Sequence, residues 1–498
     1  MEPAWQALKA LRANTAEVPV YWEQVESREG EFHFEHLDGI LREARARGLR
    51  LVLLWFATWK NGSMQYVPEW VKNNPSRFPR VKTPGGTETW VLSSHFAETF
   101  EADRKAFCQL LKHLSEFDGS EKTVIGMQIE NEPGILGSVR DYSLTADTEF
   151  NSPIPAGLGE ALDRFSLQTP RTAWDKSGGP RSRTWMQVFG EMAAEAFSAW
   201  SIARYIDRLA EAGKAIYQLP MYVNVWLGEN GWQLPGVNYP SGGPVSVMLD
   251  LWKCATPHID LIAPDIYLEA QADYDQICQN YHRVDNPLFI PESGGTESNS
   301  LNLFNAICCH ETIGYAVFGV ESLLTPDGSV RPENRMLVES FHIVKAMLPL
   351  ISRYQSTGKM HVVIQREFMS GQILDLGEFL GMAIFTRHDG SEFTDFRHRG
   401  ASDPGRGRGL VVIPNPREIY FAGAGFRLQL KERQKDERRL FAQASEQFDG
   451  PLTHYLRVEE GHFTESEEWV VDRLRNGDEI TNGLWTTTDV GVIHAVLV

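Results

Sequence analysis

Cysteine is scarce in this sequence. The five present (Cys108, Cys254, Cys278, Cys308, Cys309) are an odd number in 498 residues, with no CxxC pair and no Cys/His cluster of zinc spacing. That pattern argues against a disulfide scaffold and reads as reduced, mostly buried thiols, which favours a reducing compartment. Long apolar runs are missing too: none approaches the ~20 residues of a membrane span. Positive charge is in short supply, with 48 Lys and Arg against 66 Asp and Glu, a net charge of -18. Such a surface repels phosphate backbones and anionic lipid, so neither nucleic acid nor a membrane is expected as a partner. Met1 is followed by no basic segment and no apolar core of a leader. The expectation is a cytoplasmic location if Met1 is the true start. "EPAWQALKALRANT" instead places Trp5, Leu8 and Leu11 at helical spacing. No His/Asp/Glu group has ligand spacing, so no metal and no cofactor are expected.

What is present is an alternation. Short apolar runs at 17–22, 49–56, 123–130, 219–226, 259–267, 287–293 and 312–320 read as strands. Amphipathic helical patterns lie between them, clearest at 36–48, 100–117, 190–214 and 334–356. Near-continuous apolar strands alternating with helices indicate a parallel sheet covered on both faces. Polar and aromatic residues gather at the strand C-termini, the face where (β/α)8 barrels build their sites. The expected fold is α/β: a (β/α)8 TIM-type barrel over residues 1–358, plus a C-terminal all-β sandwich-like domain over 359–498. The runs number seven and a closed barrel wants eight. The first strand either precedes residue 1, or is hidden in the chain, or is missing from an incomplete barrel. Absence of that first strand is the favoured reading, and it would leave two strand edges unpaired.

After residue 360 alternating apolar segments such as "GLVVIPNPREIYFAGAGFRLQL" sit among Gly, Asp and Pro turns. The "GRGRG" at 405–409 lacks the strand-then-helix setting of a phosphate loop and reads as a turn. The charge-rich stretch 430–443 reads as a solvated surface.

Two carboxylates stand out. Glu132 lies just past "TVIGMQIE" and Glu292 ends "PLFIPES". With one strand missing in front, these are the fourth and seventh strands, whose ends face each other across a barrel mouth. A pair of carboxyls about 5–5.5 Å apart cleaves a glycosidic bond with retention of configuration, one holding a proton and the other attacking. Glu130 is the runner-up for the proton donor.

"QIENEPG" and "FIPESGG" resemble the acid/base and nucleophile motifs of clan A glycoside hydrolases. "VPVYWEQVESREGEFHFEHLDGILREARARGLRLVLLWFATWKNG" (18–62) is similar to the second and third barrel strands of glycoside hydrolase families 35 and 42, the β-galactosidases. The resemblance covers roughly residues 1–350. It implies Glu132 as general acid/base, Glu292 as nucleophile and Asn131 as the amide that binds the sugar 2-hydroxyl. Pro133–Gly134 replaces the Tyr-Gly usual in those two families and resembles other clan A members.

Trp22, Trp55, Trp59, Trp226 and Tyr267 fall at or near strand ends, where rings could stack on a sugar. Tyr267 could also hydrogen-bond Glu292. Asn224, Asp265 and Glu321 are further candidates for binding substrate at the rim. The long insertion 136–185 is expected to narrow the cleft and favour action on terminal sugars. The reading is a retaining exo-glycosidase that removes terminal β-linked galactose from an oligosaccharide or glycoside. Another clan A specificity (β-glucosidase, β-mannosidase or small endo-glycanase) and a non-catalytic carbohydrate-binding barrel are the alternatives. Clan relatives often assemble, so formation of a homo-oligomer stays open.

Overall fold

A computed structural model of the chain describes all residues except 156–157, 159–183, 230, 232, 368, 386–404, 433–452, 482 and 487–490. The opening helix α1 (Glu2–Leu11) buries Trp5, Leu8 and Leu11, as its spacing predicts. It leads into β1 (Thr15–Tyr21). Then follow α2 (Glu35–Ala46), β2 (Arg50–Lys60), α3 (Ala97–Phe117) and β3 (Val124–Asn131). After these come α4 (Ala193–Lys214), β4 (Met221–Val225), α5 (Leu249–Ala255) and β5 (Leu261–Pro264). All five strands are parallel, in the order β1-β2-β3-β4-β5.

Burial explains the composition of the strands. Nine consecutive residues of β2, Leu51 to Trp59, are buried, because helices cover one face and the barrel interior the other. The covering helices keep one apolar face each. In α3 this face is Phe100, Ala106, Phe107, Leu110, Leu111 and Leu114.

The wall continues through two extended segments. Helix α6 (Gln271–Tyr281) leads to the first, where the Ile266 N–H donates to the Glu292 carbonyl at 2.8 Å. Helix α7 (Glu297–Cys309) leads to the second, where Ile313 and Ala316 donate to Leu288 and Ile290, each at 2.9 Å. Seven strand-like segments are thus in place. Among the described residues no backbone hydrogen bond closes the ring between 313–318 and β1. A cavity of about 550 Å³ lies between them, lined by Thr15, Glu17, Ile313, Tyr315, Phe341 and Val344 among others. This seam is the place where the sequence reading expects an absent first strand to leave the ring unpaired.

Helix α8 (Arg335–Tyr354) links to the antiparallel part. Strands β6 (Met360–Ile364), β7 (Gly371–Leu376), β8 (Phe379–Phe385), β9 (Arg408–Asn415), β10 (Glu418–Ala424) and β11 (Phe426–Glu432) come first. Strands β12 (Tyr455–Phe463), β13 (Trp469–Leu474), β14 (Leu484–Trp485) and β15 (Val492–Leu497) complete it. They form a four-stranded sheet, β14-β11-β8-β7, and a six-stranded one, β13-β12-β15-β10-β9-β6. Strand alternation gives the larger sheet two apolar faces. Val411, Ile419 and Phe421 point into the core between the sheets. Leu410, Val412, Ala422 and Ala424 pack against α7 and α8 through Phe304, Ile307 and Met347. The stretch 388–409 and the charge-rich 430–443 lie largely outside the described residues.

Arg408 is the polar link between β9 and α8 and is fully buried. Its guanidinium donates to Ser340 Oγ at 2.8 Å, the Met336 carbonyl at 3.3 Å and Glu339 at 2.9 Å. Removing one partner of a buried ion pair strands the other. Arg408→Ala is therefore expected to cost about 3–5 kcal/mol, read as a fall in melting temperature, whereas Arg335→Ala, which removes an exposed partner of the same Glu339, costs under about 1 kcal/mol.

Candidate active site

The stretch 128–134 does not continue as a regular strand. Glu130 and Glu132 have φ of +62° and +45°, and Gly134 has +154°. Left-handed backbone at a non-glycine residue costs on the order of 1–3 kcal/mol and persists only where surrounding structure enforces it. At Gly134 a Cβ would come within 2.5 Å of Pro240 Cβ, so glycine is required. The kinks defeat simple alternation. Glu130 is sent backward into the core, and Asn131 and Glu132 both turn into the network of carboxyls described below.

Glu130 is fully buried. It accepts from the Trp59 N–H at 2.7 Å and shares a hydrogen bond with Asp103, which also accepts from Trp55 Nε1 at 2.9 Å and Thr58 Oγ1 at 2.7 Å. Burial, then the Asp103 charge, push its pKa well above the ordinary carboxyl value. Glu130 is therefore a protonated structural group, and the runner-up role for it is corrected.

Glu132 is only 8% exposed. Its N–H donates to Asn224 Oδ1 at 2.8 Å, and Asn224 Nδ2 donates to Asp265 Oδ2 at 2.7 Å. Burial first, then the negative charge of Glu292, raise the Glu132 pKa to about 7, while Lys60 and a hydrogen bond from Asp265 pull it down. Glu292 accepts from the Tyr267 hydroxyl at 2.8 Å and from Asn131 Nδ2 at 3.4 Å. Burial and the neighbouring Glu292 push the Tyr267 phenol well up, so it is a hydroxyl donor throughout the ordinary pH range. Glu132, Glu292, Asn131, Asn224, Asp265 and Tyr267 thus form one connected group.

Other candidates fall elsewhere. Trp22, Trp55 and Trp59 have no exposed surface. Trp22 donates to Glu26 at 2.9 Å, Trp55 donates to Asp103, and Trp59 packs edge-on against Tyr205. They are core residues, and the expectation that they line the cleft is corrected: side chains in the barrel wall fill its interior layers before they reach the mouth. Trp226 and Tyr267 are 37% and 46% exposed, so these two rings are available to a ligand. Asn224 and Asp265 are buried beneath Glu132 and do not form a rim. Glu321 is exposed on a short 3-10 turn, Val320–Leu323, that packs on α1, and it has no hydrogen bond to the carboxyl group.

Two participants escaped the sequence reading. Lys60 Nζ donates to Asn131 Oδ1 at 2.8 Å, which leaves the Asn131 NH₂ facing Glu292. Its signal was a lone cation at the end of the apolar β2. Glu17 points inward from β1, accepts from the Tyr222 hydroxyl at 3.2 Å and lines the seam cavity. Burial, then Glu292, raise its pKa well above normal. Its signal was a carboxylate opening the apolar run "EVPVYW".

The insertion 136–185 begins by folding onto the barrel. Ser198 Oγ of α4 donates to the Val139 carbonyl at 2.9 Å, and the Tyr142 N–H donates to the Lys82 carbonyl at 3.0 Å. Residues 156–157 and 159–183, on which the expected narrowing of the cleft rests, lie outside the described residues. Among the described residues, no group of three or more His, Cys, Asp or Glu side chains is arranged to hold a metal ion.

Comparison with known proteins adds a family. The model of the β-galactosidase family, glycoside hydrolase family 42, matches residues 2–216, and a domain of unknown function, DUF5597, matches 337–487. Comparison with curated protein sequences finds no match. Among solved structures, the β-galactosidase from Bacillus circulans sp. alkalophilus aligns at TM-score 0.50 with 14% identity, over 70% of this chain and 54% of that one. The β-galactosidase from the psychrophilic Marinomonas ef1 aligns at TM-score 0.48 with 14% identity, over 70% of this chain and 58% of that one. The exo-β-1,4-mannosidase from Opitutaceae bacterium strain TAV5 aligns at TM-score 0.38 with 16% identity, over 68% and 54%. The chain thus spans a little over half the length of these structures. With its parallel strands, covering helices and C-terminal β sheets, the chain carries a TIM-barrel fold, and over residues 2–216 it resembles the β-galactosidase family.

Proposed function

We propose that this protein is a retaining exo-glycosidase that hydrolyses terminal β-linked galactose, with catalysis in residues 1–358 and an accessory role for 359–498. One observation carries the reading. Glu132 and Glu292 belong to a single electrostatic network in which the charge of Glu292 helps to hold a proton on Glu132 near neutral pH, with Asn131 hydrogen-bonded to Glu292.

In the first step a Glu292 oxygen attacks the anomeric carbon as the glycosidic C–O bond breaks. The Glu132 proton passes to the departing oxygen. In the second, Glu132, now a carboxylate, takes a proton from water, whose oxygen attacks the same carbon and releases Glu292. Tyr267 orients the nucleophile, and Lys60 holds the Asn131 amide with its NH₂ toward the sugar 2-hydroxyl. Trp226 and the exposed face of Tyr267 offer surfaces for the apolar side of a sugar ring. No cofactor takes part in these steps.

A second reading, a carbohydrate-binding barrel without turnover, draws on the open seam between 313–318 and β1. Release of chromophore from an aryl β-galactoside separates the two, and a panel of aryl glucosides and mannosides tests the sugar. Glu292→Gln is expected to abolish release. Glu132→Gln is expected to slow substrates with poor leaving groups about 10²–10⁴-fold and to spare activated aryl glycosides in the first step. Binding without release in the unaltered protein would establish the second reading.

The pH dependence follows from the raised Glu132 value. The acid form needed for the first step predominates below pH 7 and is lost as pH rises through about 7. The alkaline limb of kcat/KM should therefore fall near neutrality. Because Glu292 contributes charge, carboxyl titration by ¹³C NMR in Glu292→Gln should place Glu132 lower than in the unaltered protein.

A further inference from the structure

Asp265 looks like a rim residue in the sequence, yet it sits behind Glu132 and is 4% exposed. Its backbone N–H donates to the Val225 carbonyl at 3.2 Å, which ties it to the end of β4. Asn224 clamps the two acids together. Its Nδ2 donates to Asp265 Oδ2 at 2.7 Å, and its Oδ1 receives the Glu132 N–H at 2.8 Å. The other Asp265 oxygen, Oδ1, is buried and meets no N–H or hydroxyl donor. Asp265 nonetheless makes a side-chain hydrogen bond to Glu132. Two carboxyl groups can hydrogen-bond only when one of them carries a proton.

The surroundings decide which one. Asp265 faces Glu132, Glu292 and Glu17, all acidic, and stands near the phenols of Tyr222, Tyr267 and Tyr281. The nearby cation, Lys60, acts on Glu132. Asp265 is the deeper of the two, and an ionised carboxyl there would be an unpaired buried charge.

We propose that Asp265 is a positioning residue that stays a neutral carboxylic acid and donates a hydrogen bond to Glu132 throughout the reaction cycle. It supplies no atom to the substrate. Its donated bond favours the Glu132 carboxylate, which is the form that must activate water in the second step. The same bond keeps the Glu132 proton labile enough to leave in the first. Burial and the surrounding acids, which raise the Asp265 pKa well above normal, agree with this assignment. The inference rests on Glu132 being the acid/base.

Two variants separate a donated hydrogen bond from a negative charge at this position. Asp265→Asn keeps a donor, so the alkaline limb of kcat/KM should stay within a few tenths of a pH unit of its original place. Asp265→Ala removes the donor, so Glu132 should hold its proton more tightly and the limb should move up by about one unit. A downward move in Asp265→Asn would mean that Asp265 is ionised in the native protein and would overturn the proposal. An unmoved limb in a folded Asp265→Ala would do the same. A protein that shows no turnover would defeat the acid/base reading instead. The Glu132 carboxyl titration, followed by ¹³C NMR on the full chain with both variants, then still tests the pairing. Should Asp265→Ala fail to fold, the Asn variant alone keeps the direction of the shift decisive.

Discussion

The site is governed by a shortage of positive charge in a crowded place. Glu17, Glu132, Asp265 and Glu292 influence one another across the barrel, and Lys60 is the cation that acts on Glu132. Burial penalises every ionised carboxyl, and each neighbour's charge penalises the next. They cannot all ionise near neutral pH. The protein answers with donors: a phenol on Glu292, a phenol on Glu17, and on Asp265 the Asn224 amide, whose oxygen accepts the Glu132 backbone N–H. A proton is thereby confined to a few positions, and confinement of a proton is what separates a proton donor from a nucleophile in a pair of chemically identical side chains.

Backbone strain makes that arrangement reachable. Regular β3 geometry would send Asn131 and Glu132 to opposite faces. Left-handed residues at 130 and 132 turn both into the network, and the buried Glu130–Asp103 pair anchors the kink from behind. A carboxyl held in the core beside Asp103 and one beside Glu292 lie two residues apart in sequence, yet they face opposite sides of the strand end. Trp59 reports the same boundary: its backbone N–H holds Glu130 while its ring fills the core.

Support from the rest of the fold is uneven. On one side α7 and α8 are pressed between barrel and β domain, with Arg408 tying β9 to α8 through buried bonds. On the other, among the described residues no backbone hydrogen bond joins 313–318 to β1, and Glu17 lines the cavity there. Burial and the charge of Glu292 together raise the pKa of Glu17, the inner carboxyl that lines the seam cavity.

The sequence by itself determined the alternation of buried strands and amphipathic helices, seven strand segments of the barrel, the change to antiparallel β structure near residue 360, and the candidate pair Glu132 and Glu292 at strand ends. Those features are written in local periodicity and in turn residues, and periodicity survives without knowledge of neighbours. The tertiary structure alone decided which aromatic rings reach solvent, so that Trp22, Trp55 and Trp59 became core while Trp226 and Tyr267 stayed exposed. It alone brought Lys60 to Asn131, Tyr267 to Glu292 and Asp265 beneath Glu132. Exposure and protonation depend on groups contributed by strands tens of residues apart, and no local pattern encodes the distance between them.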